Sequence, residues 1–121
     1  MTRQKYKGFA RLLNAIRNSW NGLCAVFRSE AAFRQELAGC VLAAVILWFC
    51  GVSRLEYVAL VASLVFIPIA ELINTAIENI VDRIGPEYHE LSKIAKDIGS
   101  AIVFVTIVAV ACVWATVLFL V

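Results

Sequence analysis

The sequence predicts an all-α integral membrane protein: an N-terminal amphipathic surface helix followed by three transmembrane helices. Three observations lead there. Of the 121 residues, 62% are hydrophobic and the mean hydropathy is +0.85, far above the roughly half-apolar usage of soluble domains. Charge is excluded from long stretches of the chain. The basic N-terminal segment, by contrast, repeats its apolar residues at helical spacing. A chain of this length makes one membrane domain, residues 1–121.

The surface helix is expected over about residues 6–28. Phe9, Leu12, Leu13, Ile16, Trp20, Leu23, Cys24 and Phe27 recur every three or four residues and so share one face. Arg11, Asn14, Asn18, Asn21 and Arg28 fall on the other face. Lys5, Lys7 and Arg17 add the positive charge that suits an anionic lipid surface. Ser29 and Glu30 interrupt this helix, and the string AAFRQE follows.

No charged residue occurs from Leu37 to Ser53, which predicts a first span over about residues 35–52. Gly51, Ser53 and Arg54 mark a short turn. The second span is expected over about residues 55–84. Pro68 lies inside it and cannot donate to the carbonyl of Leu64, so a kink is expected there. Gly85 suits a helix end and Pro86 a helix start. The run from Ile98 to Val121 is again uncharged, predicting a third span over about residues 92–121.

Topology follows from the basic residues. Seven precede the first span, three lie between the second and third, and Arg54 stands alone in the remaining turn. The positive-inside rule puts the N-terminus in the cytoplasm and the C-terminus outside. The four cysteines, Cys24, Cys40, Cys50 and Cys112, form no CxxC pair, and three lie in apolar runs, where cysteine acts as a small hydrophobe. There is no cleavable signal peptide pattern, no repeat, and no feature that points to a nucleic-acid partner.

Six of the nine acidic residues fall between Ala70 and Ala101, together with the only histidine, His89. Glu71 and Glu78 are seven apart, so they differ by about 20° around a helix and about 10 Å along it. Asp82 continues the stripe, with Asn74 and Thr75 beside it. The depth of the span places Glu78 near the inner boundary and Glu71 within the bilayer. A carboxylate held there costs about 2.5 kcal/mol or more, so a function is the default expectation. The competing explanation is a glutamate that only fixes helix packing. Beyond the Gly85-Pro86 break, Glu87, His89, Lys96 and Asp97 supply the oxygen and cationic groups that a magnesium–phosphate group requires. Glu30 could join Glu78 in holding a cation. Neither GxxxxGK[ST] nor GxGxxG occurs, so any nucleotide must be held by side chains rather than a glycine loop.

Three strings carry a resemblance: EAAFRQE (Glu30 to Glu36), E-x2-N-x-A-I-E (Glu71 to Glu78) and VDRIGPEYHELSKIAKDIGSA (Val81 to Ala101). They resemble the prokaryotic diacylglycerol kinases, over nearly the whole chain. That resemblance implies a small bacterial inner-membrane enzyme, multi-pass, with its C-terminus in the periplasm. It implies a homotrimer with active sites shared between subunits. The implied reaction moves the γ-phosphate of ATP to diacylglycerol, giving phosphatidic acid, with Mg2+. Glu71 would be the general base, also touching the lipid. Glu30 and Glu78 would hold the metal and the nucleotide, and Arg11, Asn18, Glu87, Tyr88, His89, Lys96 and Asp97 would complete the ATP site. Ser19, Trp20, Ala32, Phe33, Arg34, Gln35, Glu36, Phe49 and Ser100 would border the lipid. Two positions depart from the family pattern: Asn18 stands where a tyrosine is common, and Pro68 where the helix is unbroken. The alternatives are an undecaprenol kinase of the same fold, a small proton-coupled transporter using Glu71 as relay, and a purely structural subunit.

Overall fold

The computed structural model describes residue 5 and residues 7–121. Arg3 and Tyr6, the latter the expected start of the surface helix, lie outside the described residues. Among the described residues five helices follow one another: α1 (Phe9–Ser29), α2 (Ala31–Phe49), α3 (Arg54–Leu64), α4 (Phe66–Ile84) and α5 (Glu90–Leu120). Among the described residues three helical stretches are long and apolar enough to cross a membrane: Ala31–Phe49, Arg54–Ile84, which comprises α3 and α4, and Glu90–Leu120. With α1 they make the all-α membrane architecture.

Burial is distributed in the reverse of a water-soluble protein. Glu71, Asn74 and Thr75 are buried, whereas Val41, Ile46, Phe104 and Phe119 are exposed. Only a lipid-like surrounding makes that arrangement favourable. The small apolar core comprises Phe33, Leu47, Leu60, Leu64, Ala70, Val81 and Val110. α4 packs chiefly against α5, and α1 chiefly against α2. The apolar stripe of α1, including Phe9, Ile16 and Trp20, is left uncovered by the rest of the chain, as an interfacial helix requires.

The α1–α2 joint is a single residue. Glu30 adopts an extended backbone (φ −109°, ψ 108°) while its N–H still bonds to Val26 O. Arg34 Nη1 then donates to Phe27 O at 2.7 Å and Arg28 O at 3.2 Å, covering carbonyls that the end of α1 leaves unpaired. The charged string AAFRQE is therefore the opening of α2 itself, so the helix begins earlier than its uncharged stretch. At the far end Gly51 takes a positive φ of 72°, which a glycine adopts without steric penalty. Ser53 and Glu56 then form a reciprocal capping box, Glu56 N to Ser53 Oγ at 3.2 Å and Ser53 N to Glu56 Oε2 at 2.8 Å.

The kink expected from Pro68 is a break between α3 and α4 at Val65. Side chains from both neighbouring spans seal it. Cys40 Sγ donates to Leu64 O at 3.7 Å, the carbonyl that Pro68 cannot serve. Trp114 Nε1 donates to Leu60 O at 3.2 Å and to Ser63 Oγ at 3.0 Å. Hydrogen bonds of this kind in membrane bundles average about 0.6 kcal/mol. Trp114→Phe is thus expected to lower the midpoint of unfolding in micelles by an amount equivalent to roughly 1 kcal/mol, since two bonds are lost. An unchanged midpoint would show that water or lipid serves these groups equally well.

The second break departs from expectation in one respect. α4 ends at Ile84 with Gly85 as C-cap, but no helix restarts at Pro86. α5 begins at Glu90, because His89 Nδ1 accepts from Leu91 N at 3.1 Å and so caps the helix three residues later. α5 has 31 residues, about 46 Å at 1.5 Å per residue, against a hydrocarbon thickness of about 30 Å. The helix thus exceeds what the hydrocarbon needs, and its charged residues are confined to its first turns, Glu90 to Asp97.

Candidate active site

One face of α4 carries the site. Glu71 is 5% exposed, Asn74 8% and Thr75 1%, and Glu78 one turn further on is half-buried. Asn74 Nδ2 donates to Glu78 Oε1 at 3.5 Å. The approach of α5 is set by Gly99, where an added Cβ would run into Asn74 Oδ1. Any larger residue there would have to displace the Asn74 side chain.

Carboxylates converge on this face from two elements. Glu71 lies within electrostatic range of both Glu78 and Glu30, and Glu36 on α2 lies within range of Glu71. The sequence-predicted residues Glu30, Glu36 and Glu78 thus each lie within electrostatic range of Glu71 in a single chain. Three buried oxygens have no hydrogen-bond partner among the described residues: Glu36 Oε2, Asn74 Oδ1 and Thr75 Oγ1. Buried polar groups are normally satisfied, so these atoms point to a ligand, solvent or another chain.

Toward the boundary the charges pair. Lys96 Nζ meets Asp82 Oδ1 at 2.7 Å across α4 and α5, and Lys93 Nζ meets Asp97 Oδ2 at 2.6 Å along α5. All four side chains are well exposed, so each pair contributes little stability. Lys96 is also within range of Glu78. Glu87, Tyr88 and His89 lie exposed on the segment joining α4 to α5. With Nδ1 engaged as a cap, Nε2 is the ring nitrogen of His89 left for another partner.

An apolar groove of about 640 Å3 runs beside the carboxylates. Trp20 and Phe27 of α1, Phe33 and Leu37 of α2, and Pro68 and Leu72 of α4 are among its walls. Glu71 is not one of them: the groove opens on the adjoining face of α4. Of the residues expected to border lipid, Trp20 and Phe33 are both in this wall, Phe33 from the core with only 3% exposure. Arg34 is engaged with the carbonyls of α1. Ala32, Gln35 and Ser100 are exposed near the same end. Phe49 is not brought to the cluster, since it closes the opposite end of α2, a helix of 19 residues. Arg11, Asn18 and Ser19 are exposed on α1, which packs chiefly on α2. Sequence reasoning did not single out Gly99 or Lys93; the i, i+4 spacing of Lys93 and Asp97 was a readable signal for the latter.

The sequence model of prokaryotic diacylglycerol kinases matches residues 17–118. The chain belongs to that family. It is 47% identical over 107 residues to the diacylglycerol kinase of Escherichia coli (strain K12), covering 88% of each chain. It is 41% identical over 118 residues to the diacylglycerol kinase of Haemophilus influenzae, covering 95% of this chain and 98% of that one. With the diacylglycerol kinase of Pseudomonas aeruginosa it shares 44% identity over 111 residues, covering 92% and 90%. The match to the prokaryotic diacylglycerol kinases includes all the residues of the α4 face and of the α4–α5 turn.

Proposed function

We propose that this chain is an ATP-dependent diacylglycerol kinase that makes phosphatidic acid by direct phosphoryl transfer at the membrane boundary. Beyond family membership, one observation carries the reading. A single uninterrupted helix holds a buried Glu71 and a half-buried Glu78 nearer the boundary. A lipid hydroxyl lies at headgroup depth and a nucleotide arrives from water, so the two carboxylates can address different reactants. In-line phosphoryl transfer asks mainly for positioning and charge neutralisation.

In this scheme Glu71 accepts the hydroxyl proton of diacylglycerol, whose acyl chains lie along the groove by Trp20 and Phe27. Ser19, Ala32, Gln35, Glu36 and Ser100 border that lipid. Asn74 steadies Glu78 through its amide. Lys96, His89, Glu87, Tyr88 and Asp97 line the nucleotide from the α4–α5 turn, with Arg11 and Asn18 added from α1. Because α1 packs chiefly on α2, a nucleotide site that includes Arg11 and Asn18 is most simply completed by another copy, in a homotrimer. The excess of basic residues around the α1 and α4–α5 segments supports a cytoplasmic N-terminus and a periplasmic C-terminus in the inner membrane.

Magnesium fits the donor set. Glu30 and Glu78 take part in neither ion pair among the described residues. No group of three or more ligating side chains occurs among the described residues, but Mg2+ is commonly held by one or two carboxylates together with substrate phosphates. Bound there, it would neutralise charge on the phosphates. Glu78→Gln is expected to raise the magnesium concentration for half-maximal activity roughly tenfold or more. An unchanged magnesium titration would remove Glu78 as a ligand.

The deciding experiment is phosphorylation of a lipid panel by purified protein in mixed micelles with Mg-ATP. Radiolabel on diacylglycerol is the expected result. Label on undecaprenol alone would overturn the substrate assignment.

A further inference from the structure

The end of the bundle remote from Glu71 holds a second cavity. A cavity of about 530 Å3 lies where α2 turns into α3, lined by Trp48, Val52, Arg54, Tyr57 and Val58. Two of these side chains are fixed. The rings of Trp48 and Tyr57 meet edge-to-face with centroids 5.4 Å apart, and Tyr57 Oη donates to Ala44 O at 3.3 Å. Arg54 is exposed and takes part in neither ion pair among the described residues. The nearest carboxylate in sequence, Glu56, is already turned onto the Ser53 N–H. Arg54 is also the first residue of α3, so its guanidinium adds to the positive end of that helix dipole. No other basic residue occurs between Arg34 and Arg83.

We propose that this cavity binds an anionic phospholipid of the leaflet remote from the active site, its phosphate on Arg54 and its upper acyl chain against Trp48 and Val58. Charge complementarity singles out that occupant: an unpaired guanidinium recognises phosphate, and the indole and phenol rings suit the headgroup level. The apolar walls account for the acyl chain. Arg54 precedes Glu71 by about 25 Å of helix, which keeps this lipid apart from the reacting one.

Quenching of Trp48 fluorescence by dibrominated lipid in nanodiscs tests the site, with the signal of Trp20 and Trp114 removed by subtracting a Trp48→Phe sample. Half-maximal quenching is expected at about fivefold lower mole fraction of phosphatidylglycerol than of phosphatidylcholine, matching about 1 kcal/mol per basic residue. Arg54→Gln should abolish that preference and Arg54→Lys should keep most of it. Equal quenching by the two lipids in the unmodified protein, or a preference that survives Arg54→Gln, would overturn the proposal.

Discussion

Glu71→Gln is expected to lower kcat by roughly 10²- to 10⁴-fold, the usual contribution of a positioned general base, while ATP binding persists. The substitution keeps the volume of a side chain that is 5% exposed, so packing of α4 is preserved and only proton acceptance is lost. Nucleotide contacts are assigned to Glu78 and the α4–α5 turn, one or more helical turns away. Turnover with diacylglycerol and equilibrium binding of Mg-ATP, measured on the same preparation, check both halves. Near-normal turnover would remove Glu71 as the base. Loss of nucleotide binding alongside turnover would instead make Glu71 part of the nucleotide site.

The second large effect belongs to Gly99. Valine there gains in helix propensity by less than about 1 kcal/mol, but its side chain must displace Asn74 Oδ1. Overpacking of this kind costs about 1–3 kcal/mol, so the net change is destabilising. Because the obstruction is a side chain, Asn74→Ala should relieve it. The double variant is expected to unfold later than the sum of the two single effects requires, with a coupling of about 0.5–3 kcal/mol. Unfolding midpoints of the four proteins in micelles give that coupling directly. Strict additivity would mean that Gly99 matters for a reason other than its contact with Asn74.

These two residues also illustrate what the sequence reveals and what it hides. Glu71 was legible because a carboxylate inside an apolar run is costly and therefore conspicuous. Gly99 was not, since a glycine within a helix reads only as a weakened position until the facing helix is known. The spans were legible from uncharged runs such as Leu37 to Ser53, and Pro68 announced a break through its missing N–H. What closes that break was hidden: Trp114 is 54 residues from Leu60, and no local pattern links them. Phe33 shows the limit in another way. In a membrane chain a phenylalanine is as ready to face lipid as core, and only α2 docking on its neighbours makes it both 3% exposed and a wall of the groove.

The break at Val65 also divides the bilayer into two mechanical halves. A change in membrane thickness must be absorbed by tilting or bending somewhere along a span, and the joint between α3 and α4 is where the helix of this span is interrupted. Below it α4 runs unbroken from Phe66 to Ile84. The rise from Glu71 to Glu78, about 10 Å, therefore acts as a gauge block, unaltered when the surrounding membrane thickens or thins.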